Sequence, residues 1–214
     1  MILVSNFYLK GLSTTPEELK IIKNNFSTQG VDLTTICSKY SEIYMFSKKK
    51  IQDYAESFVL KNNEAGTPIN LVCHSMGCNL GLLASSKISN LNKLVLISPE
   101  FRKPTNEEQD RILVSFPNQE NEVNSKMALP EKLKSFILYL RTQGWNDSEI
   151  TKVIAEKCDI SLLYSKGDRF VSQEAIHNLT NKYPKINEYG IDSSRHNPLL
   201  TTEGVKAVVK VLKK

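Results

Sequence analysis

The sequence predicts an α/β protein whose mainly parallel sheet carries helices on both faces. Two observations support this fold class. Short β-branched and aliphatic runs alternate along the chain with stretches in which apolar residues recur at helical spacing. Some of these runs, such as Leu94–Ile97, are apolar at every position, as strands covered on both faces are. Strands and helices that alternate in this way form parallel sheets between layers of helices.

The first part of the chain contains three predicted strands separated by two helices. Pro16 follows three Ser and Thr residues and is well placed to open a helix, and Gly30 is well placed to end it. The predicted order is strand Ile2–Val4, helix from Pro16, strand Val31–Ile36, helix from about Lys48 to Leu60 and strand Ile69–Cys73.

The second part continues the alternation after a helix that begins near Met76. Its later elements are predicted as strand Lys93–Ser98, strand Ile160–Tyr164, helix Gln173–Tyr183, strand Ile186–Ile191 and helix Thr202–Leu212. Together with the first part, these elements give a sheet of about six strands.

Residues 101–157 interrupt this pattern, because they contain no strong strand and have helical spacing instead. An insertion between two parallel strands rises over the carboxyl edge of the sheet, where ligands bind in open α/β folds. The sequence therefore predicts a single domain, 1–214, with a helical cap or lid over 101–157. The alternative is a helical excursion with no role at the site.

Composition narrows the classes of partner. The net charge of +5 comes from scattered basic residues without the aromatic interleaving of a nucleic-acid surface, so we expect no nucleic acid partner. The chain has no apolar stretch long enough to span a bilayer and no signal-peptide pattern at its start. We therefore expect a cytoplasmic protein with no stable membrane insertion.

The four cysteines, Cys37, Cys73, Cys78 and Cys158, form no C-x-x-C pair. Without a secretion signal they are predicted to be free thiols. The three histidines show no metal-ligand spacing with them, so no metal site is expected.

The motif that carries chemistry is Leu71–Cys78, in which Ser75 follows an apolar strand and opens a helix. A serine on such a sharp turn exposes its hydroxyl above the sheet, and small residues are needed two positions before and after it. Gly77 meets this need fully and Cys73 partly. The amide of Met76, near a helix N-terminus, could stabilise an oxyanion. The alternative is that Ser75 only caps the helix.

A serine nucleophile needs a base, and His196 is the predicted one. It lies in a polar loop between the last strand and the last helix, where catalytic groups are commonly presented. His74 adjoins Ser75 and is expected to point away from it. His177 lies on an amphipathic helix and is expected at the surface.

The base needs an acid to fix its tautomer, and Asp168 is the preferred candidate. It directly follows the strand Ile160–Tyr164, although an aspartate after glycine is also a common turn residue. Glu100, just after the preceding strand, is the rival acid, whereas Asp192 lies too near His196 in the chain. The resulting order is Ser, Asp, His.

These motifs resemble the α/β-hydrolase superfamily over nearly the whole chain. The resemblance implies a reduced sheet that begins at the family's third strand, with the cap over 101–157. It also implies that the loop Ser5–Tyr8 supplies the second oxyanion amide, from Phe7. Two departures are visible: Cys73 stands where the family usually has glycine, and the first loop lacks the usual His-Gly pair.

The activity implied is that of a serine hydrolase acting on a carboxylic ester or thioester of a small-molecule substrate with a small or apolar acyl group. Ser75, His196 and Asp168 would act through an acyl-enzyme, which needs no metal or organic cofactor. The alternatives are an acyltransferase or small peptidase using the same residues, or a non-catalytic binding protein that retains the fold.

Overall fold

The computed structural model describes residues 4–11, 14–36, 48–99 and 158–214, together with 105–108, 110 and 138. The predicted cap over 101–157 lies outside the described residues apart from those few positions, as do Glu100 and Cys37.

The described strands form one six-stranded sheet in the order β2-β1-β3-β4-β5-β6, and every neighbouring pair is parallel. This confirms the predicted fold class. The strands are β1 (Ser5–Leu9), β2 (Thr34–Ile36), β3 (Ile69–His74), β4 (Leu91–Ile97), β5 (Asp159–Ser165) and β6 (Ile186–Ile191).

The described helices pack on both faces of this sheet. They are α1 (Pro16–Ser27), α2 (Lys48–Asn62), α3 (Met76–Ser85), α4 (Gln173–Lys182) and α5 (Thr202–Leu212), with a 3-10 turn at Pro198–Leu200. One buried apolar layer joins α2, α3 and α4 to the sheet, and the other joins α1 and α5 to the opposite face. None of the helices in the described part of the chain is long and apolar enough to cross a membrane.

Local sequence signals explain where several helices begin and end. Thr15 caps α1 by accepting from the Glu18 amide while the Glu18 side chain accepts from the Thr15 amide, and Pro16 occupies the first turn. Gly30, with a φ of 71°, allows the chain to leave the helix. Thr201 caps α5 in the same way that Ser172 caps α4.

The first strand differs from its prediction. The described strand runs from Ser5 to Leu9, so the interpretation of Ser5–Tyr8 as a loop is wrong, whereas Ile2 and Leu3 of the predicted strand lie outside the described residues. The loop was implied by the family resemblance, whereas in the structure the Asn6 side chain accepts a hydrogen bond of 2.9 Å from Asn70 on β3. A polar residue whose side chain is paired in this way is tolerated within a strand. The loop at the carboxyl end of β1 therefore begins at Lys10.

Candidate active site

Ser75 lies between the end of β3 and the start of α3, at the carboxyl edge of the sheet. Its φ of 52° is unusual for a residue other than glycine, and it marks the sharp strand-to-helix turn that the sequence predicts. The Ser75 amide donates to the Ile97 carbonyl of β4 at 2.8 Å, which anchors the turn. Ser75 occupies the N-cap position of α3, but its hydroxyl makes no capping bond to the helix.

The Ser75 hydroxyl points to the imidazole of His196 instead. Ser75 Oγ and His196 Nε2 lie 2.8 Å apart, and His196 Nδ1 and Asp168 Oδ2 lie 2.7 Å apart. A carboxylate only accepts, so Nδ1 carries the proton and donates to Asp168, which leaves Nε2 to accept from Ser75. Three side chains that are distant in sequence thus form one continuous chain of hydrogen bonds.

Asp168 is held in place by both of its carboxylate oxygens. Its side chain is 1% exposed, against 24% for His196, and its Oδ1 accepts from the Phe170 amide at 2.8 Å. The same aspartate therefore acts as a turn residue and as the partner of His196. Asp192, which the sequence argued against, is 95% exposed and lies 4.0 Å from Lys166.

Close packing around the turn depends on two glycines of α3. A Cβ on Gly77 would overlap Leu9 O and lie 2.7 Å from Lys10 O, so only glycine lets the end of β1 approach the turn. A Cβ on Gly81 would overlap the Sγ of Cys73. Cys73, two positions before Ser75, is therefore accommodated because Gly81 of α3 has no side chain.

The structure corrects the position of Phe7. Phe7 lies inside β1, 1% exposed, paired with Thr34 on one side and Leu71 on the other. A residue within a strand that has a neighbour on each side uses its backbone in the sheet, so the Phe7 amide cannot serve an oxyanion at the sheet edge. Met76, by contrast, is the first residue of α3, where the helix leaves backbone amides without intrahelical partners.

Gly11, in the loop after β1, approaches Ser75 closely, and the sequence prediction missed it. A Cβ on Gly11 would lie 3.1 Å from Ser75 Cβ and 2.8 Å from His74 Nδ1. The signal was present as a glycine just after an apolar run, but the run was assigned to end too early.

Of the two other histidines, His177 lies at the surface as predicted, on α4 with its side chain 69% exposed and 3.3 Å from Glu188. His74 is buried, 2% exposed, and its Nε2 lies 3.1 Å from the His196 carbonyl oxygen. Burial lowers the pKa of His74 to about 4, although its hydrogen bond to His196 acts in the opposite direction.

Among the described residues, an exposed aromatic ring lies at the rim of the site. Phe170 is 56% exposed and its ring meets that of His196 edge-on, with centroids 5.3 Å apart. The Arg169 guanidinium lies over the Phe170 ring, 5.0 Å from the ring centroid. Within the described ranges, no group of three or more His, Cys, Asp or Glu side chains is arranged to hold a metal ion.

The sequence matches no protein-family model and no curated protein. Solved structures nevertheless align over nearly the whole chain. The thioesterase domain from the curacin biosynthetic pathway aligns with a TM-score of 0.65 at 11% identity, over 99% of this chain and 91% of that one. A soluble variant of monoglyceride lipase from Saccharomyces cerevisiae gives a TM-score of 0.68 at 13% identity, over 98% and 84%.

A lipase-esterase related protein from Clostridium acetobutylicum aligns with a TM-score of 0.61 at 14% identity, over 98% of this chain and 93% of that one. Likeness at such low identity concerns the fold alone, and these alignments cover nearly all of the chain whose parallel sheet and flanking helices are described above. The chain therefore has the α/β-hydrolase fold.

Proposed function

We propose that the protein is a serine hydrolase that cleaves a carboxylic ester or thioester of a small-molecule acyl substrate. The observation that carries the proposal is the chain of hydrogen bonds, 2.7 Å and 2.8 Å long, from Asp168 through His196 to Ser75. A serine hydroxyl is a weak nucleophile until a base can take its proton, and this arrangement offers that base in the correct tautomer.

In the first step Ser75 Oγ attacks the carbonyl carbon of the substrate while its proton passes to His196 Nε2. The buried carboxylate of Asp168 keeps Nδ1 protonated and stabilises the imidazolium that forms. The pair of electrons from the carbonyl bond moves to oxygen, which gives a tetrahedral oxyanion.

Two backbone amides would stabilise that oxyanion. One is the amide of Met76, at the N-terminus of α3, where the helix dipole also favours negative charge. The second would come from the loop that begins at Lys10, which packs against Ser75 through Gly11. This loop replaces Phe7, which lies within the strand.

The same three side chains complete the acylation of Ser75 and then the hydrolysis of the acyl-enzyme. His196 returns its proton to the leaving alcohol or thiol as the tetrahedral intermediate collapses to an acyl-enzyme on Ser75. Water then attacks the acyl carbonyl carbon while His196 Nε2 takes its proton, and His196 passes that proton to Ser75 Oγ as the acid leaves, which restores the serine. The proposed cycle needs no metal or organic cofactor, because serine, imidazole and amides supply every proton and charge.

The fold neighbours favour ester and thioester chemistry over the alternatives. Their names are those of a thioesterase, lipases and esterases. A protein named as a deformylase is also among them, at 15% identity and a TM-score of 0.61. The substrate panel should therefore contain p-nitrophenyl esters of increasing acyl length beside acyl-CoA thioesters, with an amide as a further arm.

The decisive experiment is labelling with a fluorophosphonate probe, which modifies an activated serine. We expect the native protein to be labelled on the peptide that contains Ser75, and Ser75→Ala to remain unlabelled. Ser86→Ala is a matched control, because this serine is the C-cap residue that follows α3 and its hydroxyl donates to Leu83 O at 3.1 Å. A native protein that folds but takes no label would contradict the proposal and favour a binding protein with the hydrolase fold.

A further inference from the structure

Two consecutive carbonyl groups of the loop that carries His196 each accept a hydrogen bond from a buried side chain. Ser165, the last residue of β5, donates from Oγ to the Arg195 carbonyl at 2.6 Å. His74, the last residue of β3, donates from Nε2 to the His196 carbonyl at 3.1 Å. The loop is thus attached to the strand that leads to Asp168 and to the strand that leads to Ser75.

The chemistry of the His74 contact assigns its tautomer. A carbonyl oxygen only accepts, so the proton of a neutral His74 lies on Nε2. Among the described residues its Nδ1 has no hydrogen-bond partner, and it faces the Gly11 backbone, where a Cβ would come within 2.8 Å. The ring of His74 therefore contacts the main chain on two sides, at His196 and at Gly11.

The position of His74 in the chain makes this contact informative. His74 directly precedes Ser75 in the chain. A hydrogen bond from the His74 side chain to the His196 carbonyl therefore links the base to the backbone beside the nucleophile. The two imidazole rings also pack with their centroids 5.3 Å apart. Because His74 is only 2% exposed, water has little access to either contact.

We infer that His74 is a positioning residue that holds the His196 main chain where its Nε2 reaches Ser75 Oγ, and that supports the β1 loop at Gly11. The inference rests on the proposed hydrolase function. A base displaced by about 1 Å from its nucleophile loses on the order of 100-fold in rate, so such a link affects turnover more than substrate binding.

Side-chain volume alone could also explain a buried histidine, and three substitutions separate the two roles. Gln at this position carries an amide N–H near the place of Nε2 and can donate to the same carbonyl. Leu fills similar space without a donor, and Asn carries a donor on a side chain too short to reach. His177→Gln is the matched control, because this histidine lies 69% exposed on α4.

The measurements are the rate of fluorophosphonate labelling of Ser75, and kcat and KM on the best p-nitrophenyl ester, all with the full-length protein. We expect His74→Leu and His74→Asn to lower the labelling rate and kcat by about 10- to 100-fold with KM little changed. His74→Gln should retain most of both, and His177→Gln should match the wild type.

Two results would overturn the inference. One is a folded His74→Leu or His74→Asn variant that labels as fast as the wild type. The other is a His74→Gln variant as slow as His74→Leu, which would assign the effect to shape. If His74→Leu does not fold, His74→Asn and His74→Gln decide the question. Failure of the proposed function is recognised separately, since the wild type itself would then take no label on Ser75, and the inference would fall with it.

Discussion

Gly81 leaves the space that the thiol of Cys73 occupies. A Cβ on Gly81 would overlap Cys73 Sγ and lie 3.3 Å from Cys73 Cβ, although the two residues belong to different elements, α3 and β3. Cys73 stands at the position two before Ser75, where the turn needs a small side chain. The glycine across from it supplies the room that the cysteine takes, so the turn keeps its shape.

This pairing predicts strong coupling between substitutions at the two positions. Gly81→Ala alone should destabilise the protein by about 1 to 3 kcal/mol, because overpacking outweighs the better helix propensity of alanine. In a Cys73→Gly background the same change should cost nothing or stabilise. A double-mutant cycle of denaturant unfolding measures the coupling, and additive effects would show that the two residues do not share this space.

The β1 loop gives a second prediction, on activity rather than stability. Gly11→Ala places a Cβ 3.1 Å from Ser75 Cβ and 2.8 Å from His74 Nδ1, so the loop must move away from the nucleophile. Loss of one oxyanion donor costs about 100- to 1,000-fold in kcat, and we expect a fall of that order.

The control for this loop variant is Gly190→Ala on β6. A Cβ there would meet first the flexible Lys166 side chain, at 3.1 Å, and we expect unchanged kcat. Equal kcat for Gly11→Ala and the wild type would remove this loop from the proposed mechanism.

His74 predicts a dependence of stability on pH. Burial lowers its pKa from 6.5 to about 4, so the unfolded chain binds this proton more readily than the folded one. The stability that neutral His74 confers is therefore complete above pH 6.5 and is lost as the pH falls towards 4.

Between pH 7 and pH 5 we expect the free energy of unfolding to fall by about 2 kcal/mol more in the wild type than in His74→Gln. Urea titrations of both proteins at the two pH values measure the difference. Parallel losses in the two proteins would mean that His74 does not titrate as its burial requires.

Phe170 predicts a smaller effect at the rim of the site. Its ring packs edge-on against His196, while 56% of the residue remains exposed. Phe170→Ala should lower kcat by about three- to ten-fold, from loss of an aromatic contact worth about 1 kcal/mol. Stability should change little because the residue is largely exposed. Retention of kcat by Phe170→Leu would instead assign the effect to apolar covering of the imidazole.

The sequence predicts the site residues because each of them follows a strand that is recognisable from its apolar pattern. Ser75, Asp168 and His196 each follow the carboxyl end of a strand, and parallel strands bring such ends to one edge. Their convergence could therefore be predicted without coordinates. The element order and most helix limits followed from apolar spacing and caps in the same way.

Features that depend on contacts across the fold could not be predicted. Asn6 lies within β1, where its side chain pairs with Asn70, 64 residues away, although the family resemblance implied a loop at this position. The fit of Cys73 against Gly81 and the bond from His74 to the His196 carbonyl likewise join separate elements. No local pattern encodes such pairings, since they arise only when the sheet assembles.

The most direct test of the account is to trap the acyl group on the protein. After rapid mixing with a p-nitrophenyl ester and acid quenching, mass spectrometry should locate one acyl group on the peptide containing Ser75. Ser75→Ala should show none, and Asp168→Asn should form it roughly 10,000-fold more slowly, because the tautomer of His196 is lost. An acyl group found on another residue, or turnover that persists unchanged in Ser75→Ala, would contradict the account.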